Sequence, residues 1–137
     1  MRTMRAYVDV LMNAGYYSGR STRKEFWMFA LINTVVIGVL TSTALVLGHQ
    51  PIANKPIGIF DAVVTILVLY CLLILFPWLA LAVRRLHDSG RSGAYLLLCY
   101  VPFGVIALIT FLAEPGDSKV NQYGPNPVTA NPNVPTL

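Results

Sequence analysis

The architecture of this chain depends on ten consecutive residues, Arg84-Arg85-Leu86-His87-Asp88-Ser89-Gly90-Arg91-Ser92-Gly93. We call them the arginine segment. It stands between two apolar runs that contain no charged residue, 62–83 before it and 94–113 after it. A connection this short joins neighbouring antiparallel elements, and apolar runs of this length are typical of transmembrane helices. The sequence therefore predicts a membrane hairpin with the arginine segment as its turn.

The composition supports the same class. The chain has 137 residues, of which 55% are hydrophobic and 12% are charged. Soluble proteins carry roughly 25% charged residues, so this composition excludes an ordinary soluble domain. We predict a single all-α integral membrane domain over residues 1–127, followed by a disordered tail over 128–137 that is rich in proline and asparagine.

Three transmembrane helices are predicted, over about 26–48, 62–83 and 94–113. Each is long enough to cross a hydrocarbon core of about 30 Å. Thr22 and Glu25 have the spacing of a capping box, which places the start of the first helix near Thr22. The third run contains Pro102-Phe103-Gly104 at its centre, so an alternative remains open in which that run turns back instead of crossing.

An amphipathic helix is predicted at the N-terminus. Five apolar residues recur there at helical spacing, whereas Arg5, Asp9 and Asn13 fall on the opposite side. The apolar set is Met4, Tyr7, Val8, Leu11 and Met12. We expect this helix to lie on the membrane surface, with ordering only against the helix bundle as the alternative.

The positive charges predict an orientation. The net charge is +4, and eight of the ten Lys and Arg residues lie in 1–25 (five) and 84–93 (three), each beside an apolar run. This placement favours membrane topology and headgroup contacts over nucleic-acid binding. With three spans, the positive-inside rule puts the N-terminus and the arginine segment in the cytoplasm and the C-terminus in the periplasm.

The sequence Ser-Gly-Arg-Ser occurs twice, at 18–21 and at 89–92, each time just before a predicted membrane segment. Serine can cap a helix and arginine offers five donors, so each copy could hold a phosphate or an anionic lipid headgroup. The alternative is structural locking, in which Asp88 or Glu25 accepts from these arginines. The candidate residues for binding or locking are Ser18, Gly19, Arg20, Arg23, Arg84, Arg85, His87, Asp88, Ser89, Gly90, Arg91 and Ser92.

Catalysis is a third interpretation. His87 and Asp88 are the adjacent acid–base pair, but a hydrolase would also need a nucleophile held against the imidazole. The other histidine, His49, is predicted on the opposite side of the membrane, which leaves too few ligands for a metal site. We therefore assign no catalytic residue, no metal ligand and no cofactor. Cys71 and Cys99 are expected to be unpaired, buried thiols in helix packing.

A stripe of small residues runs along the first predicted helix. Its members recur every four residues and would let a neighbouring helix approach closely. They are Ala30, Thr34, Gly38 and Ser42. The expected partners are therefore membrane lipids, a second copy of the chain or another membrane protein, and no nucleic acid. A subunit of an oligomeric transporter or channel remains the alternative function.

Three blocks of the sequence resemble a known family. They are Ser18-Gly19-Arg20 with Arg23-Lys24-Glu25-Phe26-Trp27, the arginine segment, and Asn121-Gln122-Tyr123-Gly124-Pro125-Asn126-Pro127. In this order they resemble the signature of the domain of unknown function 805 family of small bacterial inner-membrane proteins, over residues 7–127. The resemblance implies a helical fold in the cytoplasmic membrane and implies no established activity.

Overall fold

The computed structural model describes residues 2–49 and 58–130, and in these ranges it contains helices and no strand. The all-helical prediction is therefore confirmed for the described chain. In order, the elements are α1 (Arg2–Met12), α2 (Arg23–Gly48), α3 (Ile59–Asp88), a 3₁₀ helix (Gly93–Tyr100), α4 (Gly104–Ala113) and α5 (Pro127–Ala130).

Helices α2 and α3 are long and apolar enough to cross a membrane. Their 26 and 30 residues correspond to about 39 and 45 Å at 1.5 Å per residue, more than the bilayer core of about 30 Å. Only 6% and 0% of their most apolar windows are buried, whereas the core helix of a soluble protein would be mostly buried. The predicted spans 26–48 and 62–83 lie within these two helices.

The start of α2 is fixed locally, as the sequence predicts. Thr22 is the N-cap residue, and its hydroxyl accepts from the Glu25 backbone N–H at 3.2 Å. The Glu25 carboxylate in turn accepts from the Thr22 backbone N–H at 3.0 Å. The capping box is therefore confirmed, and it uses Glu25 for the helix end.

The hydrophobic core lies at one end of the helix pair. In α2 the buried residues extend only to Asn33, and in α3 they begin at Ile74. The core is formed by Val10, Phe26, Phe29, Ile74, Leu81, Ala82, Leu86, Leu108 and Leu112. This end carries the arginine segment, so the best-packed part of the protein surrounds the candidate site.

The predicted third span over 94–113 is not confirmed, because this run does not form one continuous helix. It consists of the 3₁₀ helix, a turn and α4. At about 2.0 and 1.5 Å per residue, each arm is about 15 Å long, roughly half of a bilayer core. Both arms meet the same end of α3, where Gly93 contacts Val83 and the Leu112 carbonyl accepts from Arg85. We call residues 93–113 the re-entrant segment.

The turn between the two arms explains why the run folds back. Phe103 adopts φ +62°, a left-handed conformation that side chains rarely occupy. A Cβ on Gly104 would lie 2.2 Å from the Leu98 carbonyl oxygen, so only glycine permits the arms to approach this closely. Pro102 stands in the same turn and cannot continue the ladder of hydrogen bonds. Pro77, in contrast, is buried inside a continuous α3.

The prediction that the C-terminal part lies opposite the arginine segment is also not confirmed. The Asp117 backbone N–H donates to the Asp88 carbonyl at 2.7 Å, which places the tail and the arginine segment at the same end of the molecule. Within the part predicted as a disordered tail, α5 extends to Ala130, and the prediction for the rest of 128–137 stays untested. Residues 131–137, and residues 50–57 between α2 and α3, lie outside the described residues.

Helix α1 packs against the helix pair through Tyr7 and Val10. Tyr7 stacks on Phe29 at 5.1 Å between ring centroids, and its hydroxyl donates to Asn33 Oδ1 at 3.3 Å. Val10 is buried in the core. Val8, Leu11 and Met12, which are predicted to face the membrane surface, are exposed and take no part in the core, and the Met4 side chain lies outside the described part of the structure.

Two further expectations about packing change. In the small-residue stripe, Thr34, Gly38 and Ser42 are exposed and Ala30 is half-buried, so the stripe does not hold another described helix of this chain. Cys71 and Cys99 are free, as expected, but both are exposed and not buried.

Cysteine labelling tests the re-entrant path. In a variant with Cys71 and Cys99 replaced by alanine, single cysteines at Ser18, Ser92 and Ser118 should react with a membrane-impermeant maleimide from one and the same side. A cysteine at Asn54, in the connection between α2 and α3, should react from the other side. If the cysteines at Ser118 and Asn54 instead reacted from the same side while the one at Ser92 did not, the result would support a third segment that crosses the membrane.

Candidate functional site

The centre of the candidate site is the carboxylate of Asp88, at the end of α3. Its Oδ1 accepts from Arg20 Nε at 2.8 Å, and its Oδ2 accepts from Arg85 Nη1 at 2.6 Å. The side chains of Arg20, Arg85 and Asp88 are 1%, 0% and 7% exposed. One buried carboxylate thus neutralises one of two buried guanidinium charges, and the excess positive charge requires other acceptors nearby.

Backbone carbonyl groups supply these acceptors for Arg20. Its Nη1 donates to the carbonyls of Lys119 at 2.8 Å and Gly124 at 3.3 Å. Its Nη2 donates to the Asp117 carbonyl and, at 3.4 Å, to the Asp88 carbonyl. Together with the Nε bond to the carboxylate, all five guanidinium N–H groups are used. Arg20 therefore joins the segment before α2 to the end of α3 and to the tail.

Arg85 plays the same part for the re-entrant segment. Its Nε donates to the Leu112 carbonyl at 2.9 Å, and its Nη2 donates to the Glu114 carbonyl. These carbonyls lie at the C-terminal end of α4, where backbone acceptors have no partner within the helix and cations are favourable. Arg85 thus holds α4 against α3 at the end where the re-entrant segment returns.

The tail encloses the site closely. A Cβ on Gly116 would lie 1.9 Å from Asp88 Oδ2, so the chain passes directly over the carboxylate at a residue without a side chain. Beyond it, the Asn121 side chain donates to the His87 carbonyl at 2.9 Å. The Tyr123 ring stacks on the His87 imidazole at 3.7 Å between centroids and 3° between planes.

A second ion pair closes the outer side of the site. Arg91 Nη1 donates to Glu114 Oε2, and the Arg91 guanidinium lies 4.1 Å from the centroid of the Phe111 ring. These side chains are partly exposed (26% and 38%), so this pair contributes less than the buried one. It links the arginine segment to the end of the re-entrant segment.

The two Ser-Gly-Arg-Ser copies are brought to the same end but do not form a shared empty cradle. Ser21 Oγ donates to Glu25 at 2.9 Å and its backbone N–H donates to the Arg84 carbonyl at 3.1 Å. Ser89 Oγ donates to the Leu86 carbonyl at 3.1 Å. Ser92 Oγ accepts from the Ala94 N–H at 3.3 Å and caps the 3₁₀ helix. The remaining candidates, Ser18, Gly19 and Gly90, provide turn backbone at these positions.

Three other cations at this end make fewer hydrogen bonds than Arg20 and Arg85. Arg84 Nε donates to the Ala80 carbonyl at 3.4 Å, and its Nη2 is buried with no hydrogen-bond partner in the described structure. Arg23 makes one bond, from Nη1 to the Ala113 carbonyl at 3.3 Å. Lys24, beside it, is exposed. Apart from Arg84, the arrangement therefore separates inner arginines with structural partners from outer cations that stand nearer the surface.

The geometry does not assemble an acid–base pair from His87 and Asp88. His87 Nδ1 lies 3.3 Å from the Gly19 carbonyl oxygen, whereas the Asp88 carboxylate binds two arginines. A carboxylate held in this way cannot orient the imidazole as a general base requires. Within residues 2–49 and 58–130, no group of three or more His, Cys, Asp or Glu side chains could hold a metal ion.

Sequence reasoning missed several members of the site. Glu114, Asp117, Asn121 and Tyr123 all contact the arginine segment, and Gly124 offers its carbonyl to Arg20. The available signal was the Asn121–Pro127 block, whose turn-forming residues stand out in a tail with no apolar period. The sequence does not show that the backbone carbonyls of this block accept hydrogen bonds from arginine, because every residue has the same carbonyl group.

Replacing Asp88 with asparagine should be strongly destabilising, because two buried guanidinium groups then lose their common counter-charge. We expect a loss of about 3–5 kcal/mol in the free energy of unfolding. The matched control is Asp61→Asn at the exposed first turn of α3, which should cost less than about 1 kcal/mol. Unfolding in mixed detergent micelles measures both, and equal losses would show that Asp88 has no special role.

Replacing Arg20 with lysine should release the tail, because lysine has three donors where arginine uses five. In membranes open to protease, trypsin cleavage after Lys119 should become faster by on the order of tenfold or more, since two hydrogen bonds to a charged group are lost. Arg23→Lys is the control and should leave the release of the 120–137 fragment unchanged. An unchanged rate in Arg20→Lys would contradict the bonds from Arg20 to the tail.

Comparison with known proteins agrees with a membrane location. The chain is 42% identical over 126 residues to "Inner membrane protein YhaI" of Escherichia coli, covering 90% of this chain and 96% of that protein. It is 37% identical over 122 residues to "Inner membrane protein YhaH" of the same organism, covering 88% and 94%. No solved structure gives a significant match.

A family comparison covers the same region. Residues 16–125 match the family described as "Protein of unknown function (DUF805)". This range includes Arg20, the arginine segment and the Asn121–Gly124 turn, so the bonds of Arg20 to Asp88 and to Gly124 lie within the matched region. On the extent of this match and the identity to its relatives, the chain belongs to the DUF805 family.

Proposed function

We propose that this protein is an integral inner-membrane module, without enzymatic activity, whose cytoplasmic rim binds anionic phospholipid. The observation that carries the proposal is the separation of the cations at one end of the helix pair. Arg20 and Arg85 are saturated by internal acceptors, whereas Lys24 and Lys119 have exposed side chains with no internal hydrogen bond or ion pair in the described structure. The inner arginines support the fold, and the outer cations are available to ligands.

The orientation follows from the positive-inside rule applied to the re-entrant path. Arg20, the arginine segment and the tail meet at one end, and by sequence position the N-terminal segment, the arginine segment and the tail carry nine of the ten Lys and Arg residues. Lys55 alone belongs to the connection at the opposite end. Such a bias favours a cytoplasmic location for both the N-terminus and the described tail, with two crossings and one re-entrant segment in place of three crossings. Helix α1 would then lie beside the inner leaflet.

Lipid is the ligand that suits this rim. The two long helices expose apolar side chains along most of their length, so the cations stand where an apolar surface meets the headgroup layer. A Lys or Arg near an anionic membrane surface contributes about 1 kcal/mol. Lipid phosphates are present at that depth, and binding them requires no catalytic group.

A subunit of an oligomeric channel is the second candidate, and the re-entrant segment is the feature that favours it. Non-helical backbone at membrane depth can line a water-filled path. In this protein, however, the exposed tip consists of Tyr100, Val101 and Phe103. These side chains suit contact with acyl chains better than contact with water, so the lipid-binding proposal is preferred.

The proposed function predicts a lipid preference that depends on the outer cations. Spin-labelled phosphatidylglycerol should be enriched over phosphatidylcholine around the protein in mixed bilayers. Lys24→Gln combined with Lys119→Gln should reduce this enrichment, by up to about 30-fold if each lysine contributes about 1 kcal/mol.

Lys55→Gln is the control. It removes one lysine from the opposite end, so the enrichment of phosphatidylglycerol that depends on Lys24 and Lys119 should stay unchanged. Equal enrichment of both lipids around the unaltered protein, or an unchanged preference after loss of Lys24 and Lys119, would contradict the proposal.

A further inference from the structure

A groove of about 380 Å³ runs along the outside of the protein between the first turns of α2 and the end of α4. Its lining consists of Arg23, Lys24, Trp27, Met28, Leu31 and Ala113. The volume falls within the range of small-molecule sites, roughly 300–1,000 Å³. Two cations stand at one end of this lining and apolar side chains form the rest.

The cations of the groove differ from those of the buried site. Among the residues that the structure describes, Arg23 has a single hydrogen bond, to the Ala113 carbonyl at 3.3 Å, which leaves most of its donors unused. Lys24 is exposed and has no hydrogen bond or ion pair with any described residue. No carboxylate lines the groove. An anion at this end would therefore meet two positive charges without competition from an internal counter-ion.

The apolar wall leads away from these cations along α2. From Arg23 to Leu31 the helix rises about 12 Å, and the Trp27 and Leu31 side chains are 43% and 66% exposed. In a bilayer this direction runs from the headgroup layer into the hydrocarbon, because α2 crosses the membrane from its charged end. The groove thus presents charge and apolar surface in the order found along a phospholipid molecule.

We propose that this groove is a specific site for one anionic phospholipid, with the phosphate at Lys24 and Arg23 and one acyl chain along Trp27, Met28 and Leu31. The inference rests on the proposed function and gives it a defined site. The two positive charges favour an anionic headgroup. The exposed apolar wall favours a ligand that also has an acyl chain over a soluble phosphate. The groove is too small for a whole two-chain lipid, so the second chain remains in the bilayer.

Closure of the re-entrant segment is what forms the site. Ala113 is the last residue of α4, and it reaches α2 because Arg85 holds the neighbouring Leu112 and Glu114 carbonyls. The buried cluster therefore positions one wall of the groove without contacting its ligand.

Blocking the groove without changing its charge tests the site. Ala113→Trp should fill it, whereas Leu97→Trp, on the 3₁₀ helix and 64% exposed, places the same side chain on the other arm, which does not line the groove. Native mass spectrometry of protein released from phosphatidylglycerol nanodiscs should show one retained lipid for the unaltered protein and for Leu97→Trp. Retention should fall at least about tenfold in Ala113→Trp, since each excluded methylene changes binding about fourfold.

The charged end is tested separately with single substitutions. Lys24→Gln should reduce the retention of phosphatidylglycerol, whereas Lys119→Gln should leave the retention of this one lipid unchanged. Equal retention in both tryptophan variants, equal retention of phosphatidylcholine, displacement by soluble glycerol phosphate, or a chain dimer that Ala113→Trp disrupts would each overturn the site. A thermal melt of each variant shows that a loss of lipid is not a loss of fold.

The two proposals fail in different ways. If the rim has no general preference for anionic lipid, spin-label enrichment is absent around the unaltered protein. If only the groove is wrong, that enrichment persists while the two tryptophan variants behave alike.

Discussion

One buried carboxylate, shared between two buried guanidinium groups, determines how the rest of this protein is arranged. Removing charges from water costs several kcal/mol per ion, and a 1:2 ratio of negative to positive charge leaves this cost incompletely offset. Asp88 binds Arg20 and Arg85, and the remaining donors need acceptors from elsewhere. Carbonyls at the end of α4 and in the tail provide them, which is why both segments return to the arginine end.

This requirement also explains the re-entrant segment. A membrane tolerates irregular backbone only where protein covers it or where its polar groups are otherwise satisfied. The arms of residues 93–113 pack against each other and against α3, and their return point is held by Arg85. The outer surface of α4 then faces α2 across the groove near Ala113. The buried charge cluster thereby shapes the groove that we propose as a lipid site.

Local signals in the sequence predicted local structure correctly. Thr22 and Glu25 form the capping box because all its atoms lie within four residues, and the two uncharged runs before residue 84 lie in long helices because length and hydropathy suffice. The path of the third apolar run, residues 94–113, was not predicted, and the reason is physical. Hydropathy records how much apolar chain is present, but its path depends on the left-handed turn at Phe103 and on the contact of Gly104 with Leu98.

The site was predicted in part. Internal pairing of the arginines was one of three open interpretations, with Asp88 or Glu25 as acceptor, and the structure selects Asp88 because Glu25 caps α2. The contact between Arg20 and Asp88 spans 68 positions, a separation that spacing rules do not reach. The tail carbonyls leave no trace in residue type at all, so the saturation of Arg20 became visible only in the structure.

The shared carboxylate can be measured directly by magic-angle-spinning NMR on the protein in lipid bilayers. With ¹⁵N-labelled arginine and ¹³C-labelled aspartate, the Asp88 Cγ signal should show short-range dipolar transfer from Arg20 Nε and from the Arg85 guanidinium, and the transfer from Arg20 should vanish in Arg20→Lys. An Asp88 signal without transfer from either arginine would contradict the buried cluster and the fold that depends on it.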